Sequence, residues 1–150
     1  MKIISMPALA GAIALAGVIA AQGAYAVTGD SGSRLPEVTH QGSAIFLSGG
    51  IGLDESIAMQ RAARNYSLEM EFLDRAVPRD EYTANVHVKV ENAQHAVVLD
   101  TVAQGPFLLA RLPDGHYRVQ ASQAGISKQQ DVVLKDGGPQ QKLVFVWPAA

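Results

Sequence analysis

The run GPFLLARLPDGHYRV, Gly105–Val119, decides the fold. A period of two places alternate side chains of an extended chain on opposite faces. Read that way, Phe107 and Leu109 share one face of a strand, and Tyr117 and Val119 point inward from a second strand that returns beside it. Between them lies a Leu-Pro-Asp-Gly corner at Leu112–Gly115. Pro113 and Asp114 are turn formers, the Asp side chain bonding its own backbone, and Gly115 accepts positive φ.

The same alternation extends in both directions. Upstream, YSLEMEFL places Tyr66, Leu68, Met70 and Phe72 on one side with Ser67, Glu69 and Glu71 on the other, and ANVHVKVE turns Val86, Val88 and Val90 inward with Asn85, His87 and Lys89 outward. HAVVLDTV supplies a third strand; GPFLLARL and HYRVQAS are the fourth and fifth, and ISKQQDVVL and QKLVFVW the sixth and seventh. Turn-forming clusters such as PRDE, ENAQ, AQGP, QAG and KDGGP separate them. Seven short strands at this spacing predict an antiparallel β-sandwich.

The pattern Gly-x-Phe followed by Leu-Pro-x-Gly-x-Tyr-x-Val, here Gly105 to Val119, resembles the hallmark of carboxypeptidase regulatory-like domains, within the wider transthyretin-like (prealbumin-like) group. TANVHVKVENAQHAVV is similar to the hairpin that precedes it in that family, and the resemblance covers about Tyr66 to Trp147. It implies a seven-stranded sandwich serving as an accessory, stabilising or ligand-binding module, and by itself no activity. The whole order, from N-terminal apolar run through SGGIG to a terminal sandwich, also resembles small secreted proteobacterial proteins of unassigned activity. One transthyretin-like branch, the hydroxyisourate hydrolases, ends in Tyr-Arg-Gly-Ser. This chain ends VFVWPAA, with Pro148 where the polar catalytic tail would stand.

Other chemistry finds little support in the residues. A Ser-His-Asp set could be assembled from any serine, His87 or His116, and Asp114, but no Gly-x-Ser-x-Gly elbow accompanies it. His87 and His116 are the weak metal candidates: both point outward from strands expected to be neighbours, so their imidazoles could meet on the outer face. Two ligands fall short of the three or four that zinc sites use, and the chain has no cysteine. No catalytic residue and no cofactor is expected.

SGGIGLDES, Ser48–Ser56, clusters glycines ahead of a helix. A phosphate loop would end in Lys and Ser or Thr, whereas here Asp54 and Glu55 follow. Acids in the first turn and Arg61 and Arg64 in the last complement a helix dipole. Leu53, Ile57, Met59 and Ala63 form its mixed apolar face, and Gly49, Gly50 and Gly52 are expected to let the chain turn sharply so that Ile51 and Leu53 reach apolar surface. AIFLSGGIG, with Ile45, Phe46 and Leu47, predicts a short edge strand or a buried tuck. Ile51, Leu53, Ile57 and Met59 are the candidate interaction surface.

At the N-terminus Lys2 precedes an apolar run from about Ile3 to Ala21, and Ala24-Tyr25-Ala26 supplies the small residues of a cleavage site. The expected organisation is a signal peptide over 1–26 cleaved after Ala26, a flexible leader over 27–43 containing His40, a Gly-rich segment with a short helix over 44–65, and the sandwich over 66–150. Periplasmic or secreted location follows, with no stable membrane anchor after cleavage. Loss of Lys2 takes the formal charge from −2 to −3, and no basic cluster offers itself to nucleic acid. The sequence thus predicts a non-catalytic binding or accessory module whose partner is a periplasmic protein or a carbohydrate. The alternatives are a small periplasmic hydrolase using His87 or His116 and a purely structural envelope protein.

Overall fold

The computed structural model describes residues 35–149; the expected signal peptide and the first part of the leader lie outside them. The described chain is mainly β, with strands β1 (Thr39–Gln41), β2 (Ala44–Gly49), β3 (Leu68–Asp74), β4 (Glu81–Tyr82), β5 (Val86–Asn92), β6 (Val97–Ala103), β7 (Phe107–Arg111), β8 (Gly115–Gln123), β9 (Ile126–Leu134) and β10 (Gln141–Trp147). One helix, α1 (Leu53–Ala62), runs into a 3-10 turn at Ala63–Asn65. One sheet has the order β1-β2-β7-β3-β10, with β4 on the end of β3, and the other has β6-β5-β8-β9.

Ten strands are therefore present among the described residues where the alternation predicted seven. Those seven segments are β3 and β5 to β10. Of the others, β1 lies inside the expected flexible leader, and β2 is an interior strand between β1 and β7 rather than an edge. The pairing is also not wholly antiparallel, because β10 runs parallel to β3, from Gln141 opposite Leu68 to Trp147 opposite Asp74.

Alternation builds a shared core between the sheets. Leu68, Met70 and Phe72 from β3, Leu108 and Ala110 from β7, and Phe145 and Trp147 from β10 meet Val86, Val88 and Val90 of β5 and Val119 and Ala121 of β8 in one buried cluster. Phe72, Phe145 and Trp147 are mutually in ring contact, at 6.1–6.3 Å between centroids. Side-chain amides join the two sheets at their margins. Gln41 of β1 both donates to the Asp100 carbonyl (2.8 Å) and accepts from its N–H (2.9 Å), imitating one rung of a ladder with β6. On the opposite margin Gln130 of β9 donates to the Val144 carbonyl of β10 (2.8 Å), and the Trp147 indole donates to the Ile126 carbonyl (2.9 Å).

The corner read from the sequence is built as a bend at Asp114, but its main tie differs from the expected one. The Tyr117 hydroxyl donates to the Pro113 carbonyl at 2.6 Å; no side-chain bond of Asp114 to its own backbone is present. Gly115 has φ 156°, close to extended backbone, with its Cβ direction at ordinary contact distance from the Tyr117 ring. Between β8 and β9 the two-residue turn Ala124-Gly125 has positive φ at both positions, 47° and 80°, the twist a tight hairpin needs.

Candidate functional site

The sheet containing β7 is covered on both faces. Phe107 and Leu109 share one face, as the alternation predicts, and it is the face away from the core between the sheets, where they form a second buried cluster with Leu47, Met59, Ala62 and Ala63. That cluster holds α1. Tyr66 joins it rather than the main core, because the 3-10 turn carries the chain past before β3 begins. The Arg111 guanidinium stacks over its ring at 5.2 Å and donates to the Asn65 carbonyl at 2.7 Å. Gln140 also donates to the Ala63 carbonyl, tying the approach to β10 to the end of the helix.

The four residues expected to form an interaction surface separate into two groups. Met59 is fully buried against the sheet, so it anchors the helix and offers no surface. Ile57 is half-buried. Ile51 and Leu53 remain 65% and 75% exposed, so neither is buried against the protein's own sheets. The helix face that packs is Met59, Ala62 and Ala63, the C-terminal part of the predicted stripe with Ala62 added, while Leu53 at its start does not pack.

The glycines serve both turning and close approach, Gly50 and Gly52 having positive φ and Gly49 and Gly50 lying against neighbours. A Cβ on Gly49 would collide with the Glu55 carboxylate and Pro36, and one on Gly50 (φ 101°) with the Phe107 ring. Gly52 (φ 84°) is the N-cap of α1, with no side-chain cap. Glu55, in the first turn, reaches back to accept from the Gly50 N–H at 2.7 Å. This bond fixes the loop and leaves Ile51 between two constrained glycines.

Opposite this loop stands Tyr82, half-exposed, with its ring 5.2 Å from that of Phe107. Gly50–Leu53 and Ser56 on one side, and Tyr82–Ala84 with Pro106 on the other, enclose a groove of about 380 Å³. Tyr82 also borders a second, acidic cleft with Glu71, Asp80 and Glu81. Glu69 and Glu71, on the side of β3 away from the core between the sheets, are nevertheless largely buried. Lys142 of β10 bridges them, at 2.7 Å from Glu71 and 3.8 Å from Glu69.

Burial first, and then the Glu71 carboxylate, push the Tyr82 phenol above its usual range; burial and then Asp114 do the same to Tyr117. Bonding to Glu71 likewise raises Lys142. Folding therefore favours the neutral phenols and the charged amine. Their contribution is fully present below pH about 10 and is lost as pH rises through the raised values. Near-ultraviolet titration of the folded protein is expected to show Tyr82 and Tyr117 ionising later than free tyrosine, with Tyr82→Phe removing one such step. Ionisation of both at the free value, with the fold retained, would contradict this packing.

The histidines do not make a common site. His87 on β5 is opposite Ser122 of β8, whereas Tyr117 is opposite Asn92, which puts His116 beyond the far end of β5, roughly 20 Å from His87 at about 3.3 Å per residue. Their imidazoles therefore do not meet. His87 Nε2 instead lies 2.5 Å from Asp100 Oδ1 on the exposed sheet face. The Ser122 hydroxyl shares a 2.6 Å hydrogen bond with Ser127 rather than with His87. His116 borders a cleft of about 320 Å³ with His95. Among the described residues no group of three or more His, Asp or Glu side chains is placed to hold a metal ion, and no helix is long and apolar enough to cross a membrane.

Neither the models of known protein families nor the curated proteins contain a match to this chain.

Proposed function

We propose that the protein is a non-catalytic binding or accessory module, a transthyretin-like β-sandwich exported through a cleaved signal peptide to the periplasm or beyond. The observation that supports this reading best is the pair Ile51 and Leu53, two large apolar side chains held in solvent by a loop that is bonded to its own helix and packed on Phe107. Scattered exposed apolar residues need no explanation. These two border one side of a groove whose other side is Tyr82 and Pro106, which is the composition of a protein-binding anchor point. A protein partner suits the groove better than a carbohydrate, because its walls are mainly aliphatic and offer a single ring for stacking.

The hydrolase alternative has the His87–Asp100 pair in its favour, but the neighbouring Ser122 is bonded elsewhere and no described cleft includes His87. A purely structural role would explain α1 as a cover for the β7 face, yet it leaves Ile51 and Leu53 without a purpose. Removing the whole 44–65 segment would delete interior strand β2, so point substitutions are the informative test. The double variant Ile51→Asp, Leu53→Asp is expected to keep its unfolding free energy within about 0.5 kcal/mol per site. It should lose the crosslinked adducts that the wild-type protein forms in envelope extract. A variant that is stable and keeps every adduct would overturn the proposal.

A further inference from the structure

Resting on the binding-module reading, we infer that the groove between Ile51 and Tyr82 takes an extended segment of a partner protein in which one large apolar side chain is flanked by lysine or arginine. The groove supplies the apolar half of this recognition. Its volume of about 380 Å³ lies at the small end of the roughly 300–1,000 Å³ range of ligand pockets, and Ile51, Leu53, Tyr82 and Pro106 give it apolar walls.

The rim supplies the charge. Asp54 is exposed next to Leu53, and Glu81 is exposed next to Tyr82. Tyr82 also lines the neighbouring cleft, separate from the groove and bordered by Asp80, Glu81 and Glu71, where Arg79 is the one lining cation. Lys142 is paired with Glu71 and Glu69, so Glu71 is largely neutralised and the acids beside the groove are Asp54, Asp80 and Glu81, opposed by Arg79. An acidic rim around an apolar slot favours a cationic partner and speeds its encounter. The same rim disfavours two other occupants. Phosphate and anionic lipid headgroups would meet like charge, and a second copy related by a two-fold axis would bring one acidic rim against another.

The test uses the mature protein, labelled with nitrogen-15, and three capped peptides with the cores Lys-Lys-Phe-Lys-Lys, Glu-Glu-Phe-Glu-Glu and Lys-Lys-Ala-Lys-Lys. The first is expected to shift the amides of Gly50, Gly52 and Thr83, to weaken as salt is raised, and to bind at least ~10-fold more tightly than either of the others. Asp54→Asn with Glu81→Gln should weaken it several-fold and leave the melting temperature unchanged. Equal binding by the glutamate peptide, or shifts confined to another face, would overturn the inference. The two readings fail separately. If Ile51→Asp, Leu53→Asp loses its envelope adducts while the peptides show no charge preference, the binding module stands and the cationic segment falls. If the lysine peptide binds as expected but that variant keeps every native adduct, the chemistry of the groove stands and the binding-module reading falls.

Discussion

Replacement of Phe107 by alanine is expected to lower the unfolding free energy by about 3–5 kcal/mol, the range for a large buried aromatic truncated to a methyl. Phe107 is 1% exposed and occupies the junction of three parts. Its ring packs with Met59, Leu47 and Leu109 beneath α1, lies 5.2 Å from the Tyr82 ring, and fills the space that the missing Cβ of Gly50 leaves open. The cavity would not be closed by collapse, because the Gly50 loop is tied to Glu55 and β4 is paired to β3. Equilibrium denaturation of the two proteins measures the difference. A loss below about 1 kcal/mol, the scale of an ordinary surface change, would mean that the helix does not rest on this ring.

Gly105→Ala is expected to cost roughly 3 kcal/mol or more, at the upper end of overpacking effects, although it adds one methyl group. The new Cβ would lie 2.8 Å from the Gly49 Cα and closer still to its carbonyl carbon and oxygen. These are backbone atoms, so no side-chain rotation relieves the clash. Gly49 is in turn confined by Glu55 and Pro36, and retreat of the Gly49 backbone would strain the Gly49–Phe107 end of the β2–β7 pairing. Denaturation beside Gly125→Ala, a change at an exposed turn with open space around it but a φ of 80°, compares the clash with the smaller strain, roughly 1–2 kcal/mol, of an alanine held at positive φ. Equal losses in the two variants would remove the close approach of Gly49 and Gly105 from the account.

The strands were legible because period two survives in residues that face a core on one side only. Val86, Val88 and Val90 alternate with exposed or half-buried neighbours, and the structure buries those three. The same rule could not say what lies beyond the other face. In β7 the alternation put Phe107 and Leu109 together but could not say which face meets the core between the sheets, because Leu108 and Ala110 are equally apolar. A signal was present: Phe107–Ala110 is an uninterrupted apolar run, the mark of a strand buried on both faces. Pairing partners were harder to see. Nothing in the alternation of QKLVFVW distinguishes a parallel neighbour from an antiparallel one, and β10 lies beside β3 although β5 to β9 intervene.

The candidate site was half legible. Ile51 and Leu53 were marked by standing in a Gly-rich stretch, but Tyr82 was not, since a two-residue strand has no period to read. Met59 and Ala63 lie on the predicted apolar face and are buried, but the sequence also assigns Met59 to an interaction surface. In so short and mixed a helix the pattern could not show that the packed side runs through Met59, Ala62 and Ala63 and leaves Leu53 in solvent. The His87–Asp100 contact follows from the β5–β6 pairing, in which Lys89 is opposite Asp100 and His87 is its diagonal neighbour; it required the register.

α1 is fastened to the sheet by Met59, Ala62 and Ala63, and Leu53 at its start stands in solvent. Met59→Ala and Leu53→Ala, compared by equilibrium denaturation, test this arrangement most directly, because both remove a large apolar side chain from the same helix. A loss of about 2–5 kcal/mol is expected for Met59→Ala, against a change within about 0.5 kcal/mol for Leu53→Ala. Similar losses at both positions would show that Leu53 is packed against the protein's own surface, and would contradict it.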